Sequence, residues 1–94
     1  MLYKMAIIIT YDIPSKHREF KEMMFELGYK ESISGTKNCE TIYFPNTTLY
    51  HESKSARNAV NDAESVCKQL GISLTRCVST EWNSWYAMCG EPFS

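Results

Sequence analysis

The stretch AIIITYDIPSKHREF, residues 6–20, decides how this chain is read. Its apolar half is crowded with β-branched residues, which suit a pleated, extended backbone, so residues 3–11, YKMAIIITY, are expected to form the first strand. Pro14 then removes a ladder donor, and the Ser15 hydroxyl can accept a free backbone N–H at a helix start. From there Phe20, Met23, Met24 and Leu27 recur at i, i+3, i+4 and i+7, the stripe of a helix with one buried face, and Gly28 supplies a stop. The junction also raises a chemical question. Asp12 stands where an oily strand ends and a helix opening with Lys16, His17 and Arg18 begins. It is either turn chemistry or the carboxylate of a site that handles phosphate through a metal.

Beyond the helix, YKESIS (29–34) and CETIYFP (39–45) read as the two strands of a hairpin around GTKN. After NTT and LYHESKS comes the clearest helical pattern in the chain. Ala56, Ala59, Val60, Ala63, Val66, Cys67 and Leu70 share a face, Ser53 or Ser55 is the cap, and Gly71 closes the helix. ISLTRCVS (72–79) alternates as a half-buried strand interrupted by Arg76. The order β-α-β-β-α-β predicts an α+β, ferredoxin-like sandwich: a four-stranded antiparallel sheet with two helices on one face. It makes one domain over residues 1–94, with 79–94 as an aromatic C-terminal extension. Trp82, Trp85 and Tyr86 in that extension either close the domain's own core or form an anchor for a protein partner.

Composition bounds the rest. A chain of 94 residues with 44% hydrophobic content and 22% charge has room for one core and no more. A net charge of −1 argues against broad coating of nucleic acid. No window reaches the length of a membrane span, and the first residues lack a signal-peptide pattern, so a cytoplasmic protein is expected. Cys39, Cys67, Cys77 and Cys89 are isolated from one another and from His17 and His51, which gives no zinc spacing and an expectation of reduced thiols. Glycine-rich phosphate loops, acyl-enzyme motifs and the basic-aromatic RNA signature of the RRM are absent.

The segment ITYDIPSKHREF resembles the opening of the CRISPR-associated endoribonuclease family that partners the spacer integrase. Its strand ends in Y-D before a turn and an arginine-bearing helix. VapD-type ribonuclease toxins and GhoS-type RNA-cleaving antitoxins share the layout, and CETIYFPNTTL is similar to the latter. The resemblance implies a homodimer that brings two Asp12 carboxylates together, with metal-assisted cleavage of RNA phosphodiesters. Tyr11 and Asp12 match the family's Y-D, Asp12 would be catalytic and bind Mg2+, and Arg18 sits where the family's helix carries basic residues. From the residues alone, Lys16, His17 and Arg18 at the first turn of a helix could hold phosphate, and Arg76 either reaches phosphate from the sheet edge or pairs with a local acid such as Glu81. The later family signature survives only loosely in Thr41, Ile42 and Tyr43.

The residues themselves also point to a homodimer, because the first strand is apolar on both faces and a twin molecule could cover the second. Three functions stay open: an endoribonuclease of toxin–antitoxin or CRISPR-related type; a non-catalytic dimeric inhibitor or adaptor that binds another protein in a phage or mobile-element conflict system; and a domain that binds a small regulatory ligand.

Overall fold

The computed structural model describes residues 5–35, 39–83 and 85–87. In chain order the elements are β1 (Ile7–Asp12), α1 (His17–Glu26), β2 (Ser32–Ser34), β3 (Thr41–Tyr43), β4 (Thr48–His51), α2 (Ala56–Leu70) and β5 (Arg76–Glu81). The class is α+β and the order is loosely ferredoxin-like.

The expected four-stranded sheet is divided. One antiparallel sheet has the order β4-β1-β5, and β2 and β3 form a separate hairpin. A single bridge between Lys30 and Tyr50, with both backbone bonds at 2.8 Å, ties the hairpin to β4. The strand β4, TLYH, falls in the stretch between hairpin and second helix to which the residue pattern assigns no element. It is only four residues long and lies between turn-forming residues, so no periodicity betrays it. The break between β3 and β4 falls at 44–47. There Thr47 takes a left-handed φ of 67°, and its carbonyl accepts the Tyr11 N–H at 3.1 Å.

Alternation along β1 sorts its side chains. Ile7, Ile9 and Tyr11 are buried, and with Ile13 they meet Phe20 and Met24 of α1, Leu49 of β4, and Ala59, Ala63, Val66 and Cys67 of α2. The small alanines let α2 lie close to the sheet. Leu27, expected on the buried stripe of α1, is instead 43% exposed just past the helix end.

Helix ends follow local chemistry in one case and override it in the other. Ser55 caps α2 by accepting the Asn58 N–H at 3.1 Å, and Gly71 closes it at φ 72°. The α1 cap is Lys16, not Ser15. Lys16 is left-handed at φ 58° and makes no side-chain cap bond; its ammonium instead donates to the Leu70 carbonyl at 2.9 Å. That contact joins the start of α1 to the end of α2, where free carbonyls favour a cation.

The alternation expected over residues 72–79 also changes phase. Ile72 and Leu74 pack against the core before β5 begins, whereas Arg76 and Val78 lie exposed within it. Residues 79–81 belong to β5, so the aromatic segment starts at Trp82 rather than at residue 79.

Candidate functional site

Asp12 closes β1 opposite Arg76 in β5. The Arg76 Nε donates to Asp12 Oδ2 at 2.7 Å, and the Thr75 hydroxyl and N–H both donate to the Asp12 carbonyl, at 2.7 and 3.0 Å. The side chains are 49% and 84% exposed, so water screens the pair and its contribution to stability is about 0–1 kcal/mol. Tyr11, the other half of the Y-D motif, points the opposite way. Its hydroxyl is buried with no hydrogen-bond partner among the described residues, and burial, with Glu31 nearby, pushes its ionisation well above the usual tyrosine range.

The basic trio does not join Asp12. Lys16 is committed to Leu70, while His17 and Arg18 are exposed and line a shallow depression with Lys21, Glu22, Glu31 and Asn46. Lys21 in that depression donates to Glu31 at 3.1 Å and to Asn46 at 2.8 Å. Of the five residues expected to handle phosphate or metal, only Asp12 and Arg76 meet. Among the described residues no group of three or more His, Cys, Asp and Glu side chains gathers around a point. One carboxylate with an oxygen committed to a guanidinium does not make a magnesium ligand set within one chain.

His51 has a structural task. The Ser53 N–H donates to its Nδ1 at 3.1 Å, so the ring proton resides on Nε2 and is donated to the Leu27 carbonyl at 3.1 Å. The ring meets Tyr29 edge-on at 4.9 Å. Tyr29 in turn donates its hydroxyl to Asp62 at 2.8 Å, and Lys54 pairs with the same carboxylate oxygen. Burial and the Asp62 bond raise the Tyr29 ionisation far above its ordinary value. This network pins the hairpin entry and β4 to α2.

The largest concentration of unusual side chains lies on the sheet face away from the helices. Trp82 meets Phe44 edge-on at 5.5 Å and Tyr50 edge-on at 6.2 Å, and stacks on Trp85 at 4.7 Å. Two grooves flank Trp82. One, of about 530 Å3, includes Lys30, Ser32, Ser34, Thr41 and Trp85. The other, of about 610 Å3, is mainly apolar and includes Ile8, Ile42, Phe44, Pro45 and Tyr86. Part of the cover that the second face of β1 requires thus comes from the chain's own aromatic segment.

Trp82 is half-buried, Trp85 is 40% exposed and Tyr86 is 99% exposed. Trp82 therefore packs the domain, and Tyr86 offers its whole surface to solvent. Phe44 and Tyr50 were missed as members of this site. The Phe-Pro pair reads as a strand end, whereas Phe44 shares the face of Ile42 two residues earlier and meets Trp82 across that groove.

Cys67 and Cys77 are free thiols. Burial raises both, and Cys77, with Cys67 and Glu64 near it, is pushed up to about 11. Cys39 is disulfide-bonded, which corrects the expectation of uniformly reduced cysteines. No described helix is long and apolar enough to cross a membrane.

Comparison with protein-family models, with curated proteins and with solved structures finds no match for this chain.

Proposed function

We propose that this protein is a non-catalytic binding module. Its contact surface is the aromatic segment after β5 together with the apolar groove beside it. The observation that carries the reading is Tyr86, 99% exposed at the rim of a groove walled by Ile8, Ile42, Phe44 and Trp82. Aromatic side chains on a packed base are the residue types that dominate protein interfaces. The near-neutral net charge favours a protein segment bearing an apolar side chain over a polyanion. On this reading the fold is a ferredoxin-like βαββαβ sandwich whose third strand is broken into β3 and β4, with Ile42 and Phe44 lining the groove.

Selection of a displayed random-peptide library on the whole chain tests this. Peptides anchored by leucine or an aromatic residue should be enriched, and Tyr86→Ala should weaken them by roughly 30-fold, the loss expected of an interface anchor. No enrichment, or binding indifferent to both Trp85→Ala and Tyr86→Ala, would remove the proposal.

RNA cleavage is the second reading, favoured by the meeting of Asp12 and Arg76 at one exposed sheet end. The guanidinium could contact a phosphate, but no step through a metal follows from a single carboxylate. Asp12→Asn should abolish cleavage of single-stranded RNA if the reading holds. Cleavage that persists unchanged takes Asp12 out of the mechanism.

A further inference from the structure

Among the described residues β5 is the edge of its sheet, and the hydrogen bonds of β1 show which of its groups are spare. The Tyr11 N–H bonds toward β4, so the odd-numbered residues of β1 face β4 and the even-numbered ones face β5. Trp82 N–H donates to the Ala6 carbonyl at 2.7 Å, which sets the matching phase on β5. Arg76, Val78 and Thr80 therefore direct their backbone groups to β1, while Cys77, Ser79 and Glu81 direct theirs outward. The described residues after β5 do not cover that edge: Trp82 and Trp85 line the groove beside Lys30 and Ser34, across the sheet.

The strand itself carries little of the usual edge protection. RCVSTE contains no lysine, proline or glycine, pairs with β1 over six consecutive positions without a bulge, and keeps its two charges at its ends. At its middle, Val78 is 64% exposed on the face away from the helices.

We infer that β5 pairs antiparallel with β5 of a second copy of this chain about a twofold axis at Val78. The symmetry restricts the register. Residues paired across a sheet share a face, so for identical strands the paired numbers must sum to an even value. A sum of 156 puts Cys77 opposite the partner's Ser79 as hydrogen-bonded pairs, using the outward groups. It puts Val78 opposite the partner's Val78 in the non-hydrogen-bonded position, where side chains come closest. Each Arg76 then lies at the acidic end of the opposing strand, and no like charges stand opposite each other. The result is a continuous sheet, β4-β1-β5 joined to its copy, with all four helices on one face and both aromatic grooves on the other. The pairing requires nothing of those grooves, so it stands or falls separately from the binding proposal. From strand spacing and rise, the two Asp12 residues lie roughly 20 Å apart. A Val78-centred dimer and a shared Asp12 centre therefore exclude each other.

Sedimentation equilibrium on the full chain over a wide concentration range is the test. The wild type should approach the mass of two chains. Val78→Lys, at an exposed site, should raise the dimer dissociation constant by roughly tenfold or more at unchanged circular dichroism. Ser79→Pro removes an outward N–H that β1 does not use, and should leave a monomer. Val78→Cys should yield a disulfide-linked dimer under oxidation that the wild type does not form. A wild type that stays monomeric, a dimer that survives both Val78→Lys and Ser79→Pro, or a dimer in which Val78→Cys does not crosslink would each overturn the inference.

Discussion

Gly28 follows α1 at φ 96°, and a Cβ there would lie 2.9 Å from His51 Nε2. Two physical demands meet at this residue. The left-handed backbone disfavours any L side chain, and the imidazole that ties Leu27 to β4 occupies the space such a side chain would need. At Gly71, φ 72°, a Cβ would meet no described atom within 4 Å, so only the first demand applies there. Gly28→Ala should therefore lower stability by about 1–3 kcal/mol, and by more than Gly71→Ala. Urea midpoints of the two variants check the order. The sequence disclosed both glycines as helix stops. The second role of Gly28 depends on His51, twenty-three positions away, and no local pattern reports that neighbour. Lys16 is the converse case: Ser15 had the better capping chemistry, but the long-range bond from Lys16 to Leu70 accompanies a different boundary.

At the scale of elements, the segment after β5 divides between packing and display. Trp82 touches Phe44, Tyr50 and Trp85, whereas Tyr86 is almost wholly exposed. Trp82→Ala should cost about 2–4 kcal/mol, somewhat below a fully buried aromatic because Trp82 is only half-buried. Tyr86→Ala should fall within about 0.5 kcal/mol of wild type. Thermal unfolding of the two variants distinguishes a residue that holds the domain from one that serves a partner. Equal losses would contradict the division. Both residues are legible as candidates from their aromaticity, but spacing does not decide the segment: Trp82, Trp85 and Tyr86 share a helical face, Trp82 and Tyr86 a strand face. The described residues after Glu81 form neither helix nor strand, and Trp82 directly after β5 reaches Tyr50 of β4.

For the whole molecule, several ionisations shift in one direction. Burial raises Tyr11, Tyr29, Cys67 and Cys77, so the folded chain holds these protons to higher pH than the unfolded chain does. Their contribution is fully present below the unfolded values, near 9 for the thiols and 10 for the tyrosines, and is lost as pH rises beyond them. Stability should therefore decline from about pH 9 upward, with tyrosinate absorbance developing together with loss of structure. Denaturant titrations from pH 7 to 11 measure this, and a flat stability profile across that window would refute it. The sequence by itself determined the two helices and the first strand, because these follow from residue spacing and side-chain type; with both faces of that strand apolar, it did not determine that the helices cover Ile7, Ile9 and Tyr11. Only the tertiary structure decided that Asp12 meets Arg76 while the basic trio turns elsewhere. It alone separated the hairpin β2-β3 from the sheet β4-β1-β5, brought Phe44 and Tyr50 under Trp82, and placed β5 at the edge of the described sheet. Those outcomes join residues tens of positions apart, where strand order and packing, rather than any local periodicity, set the neighbours.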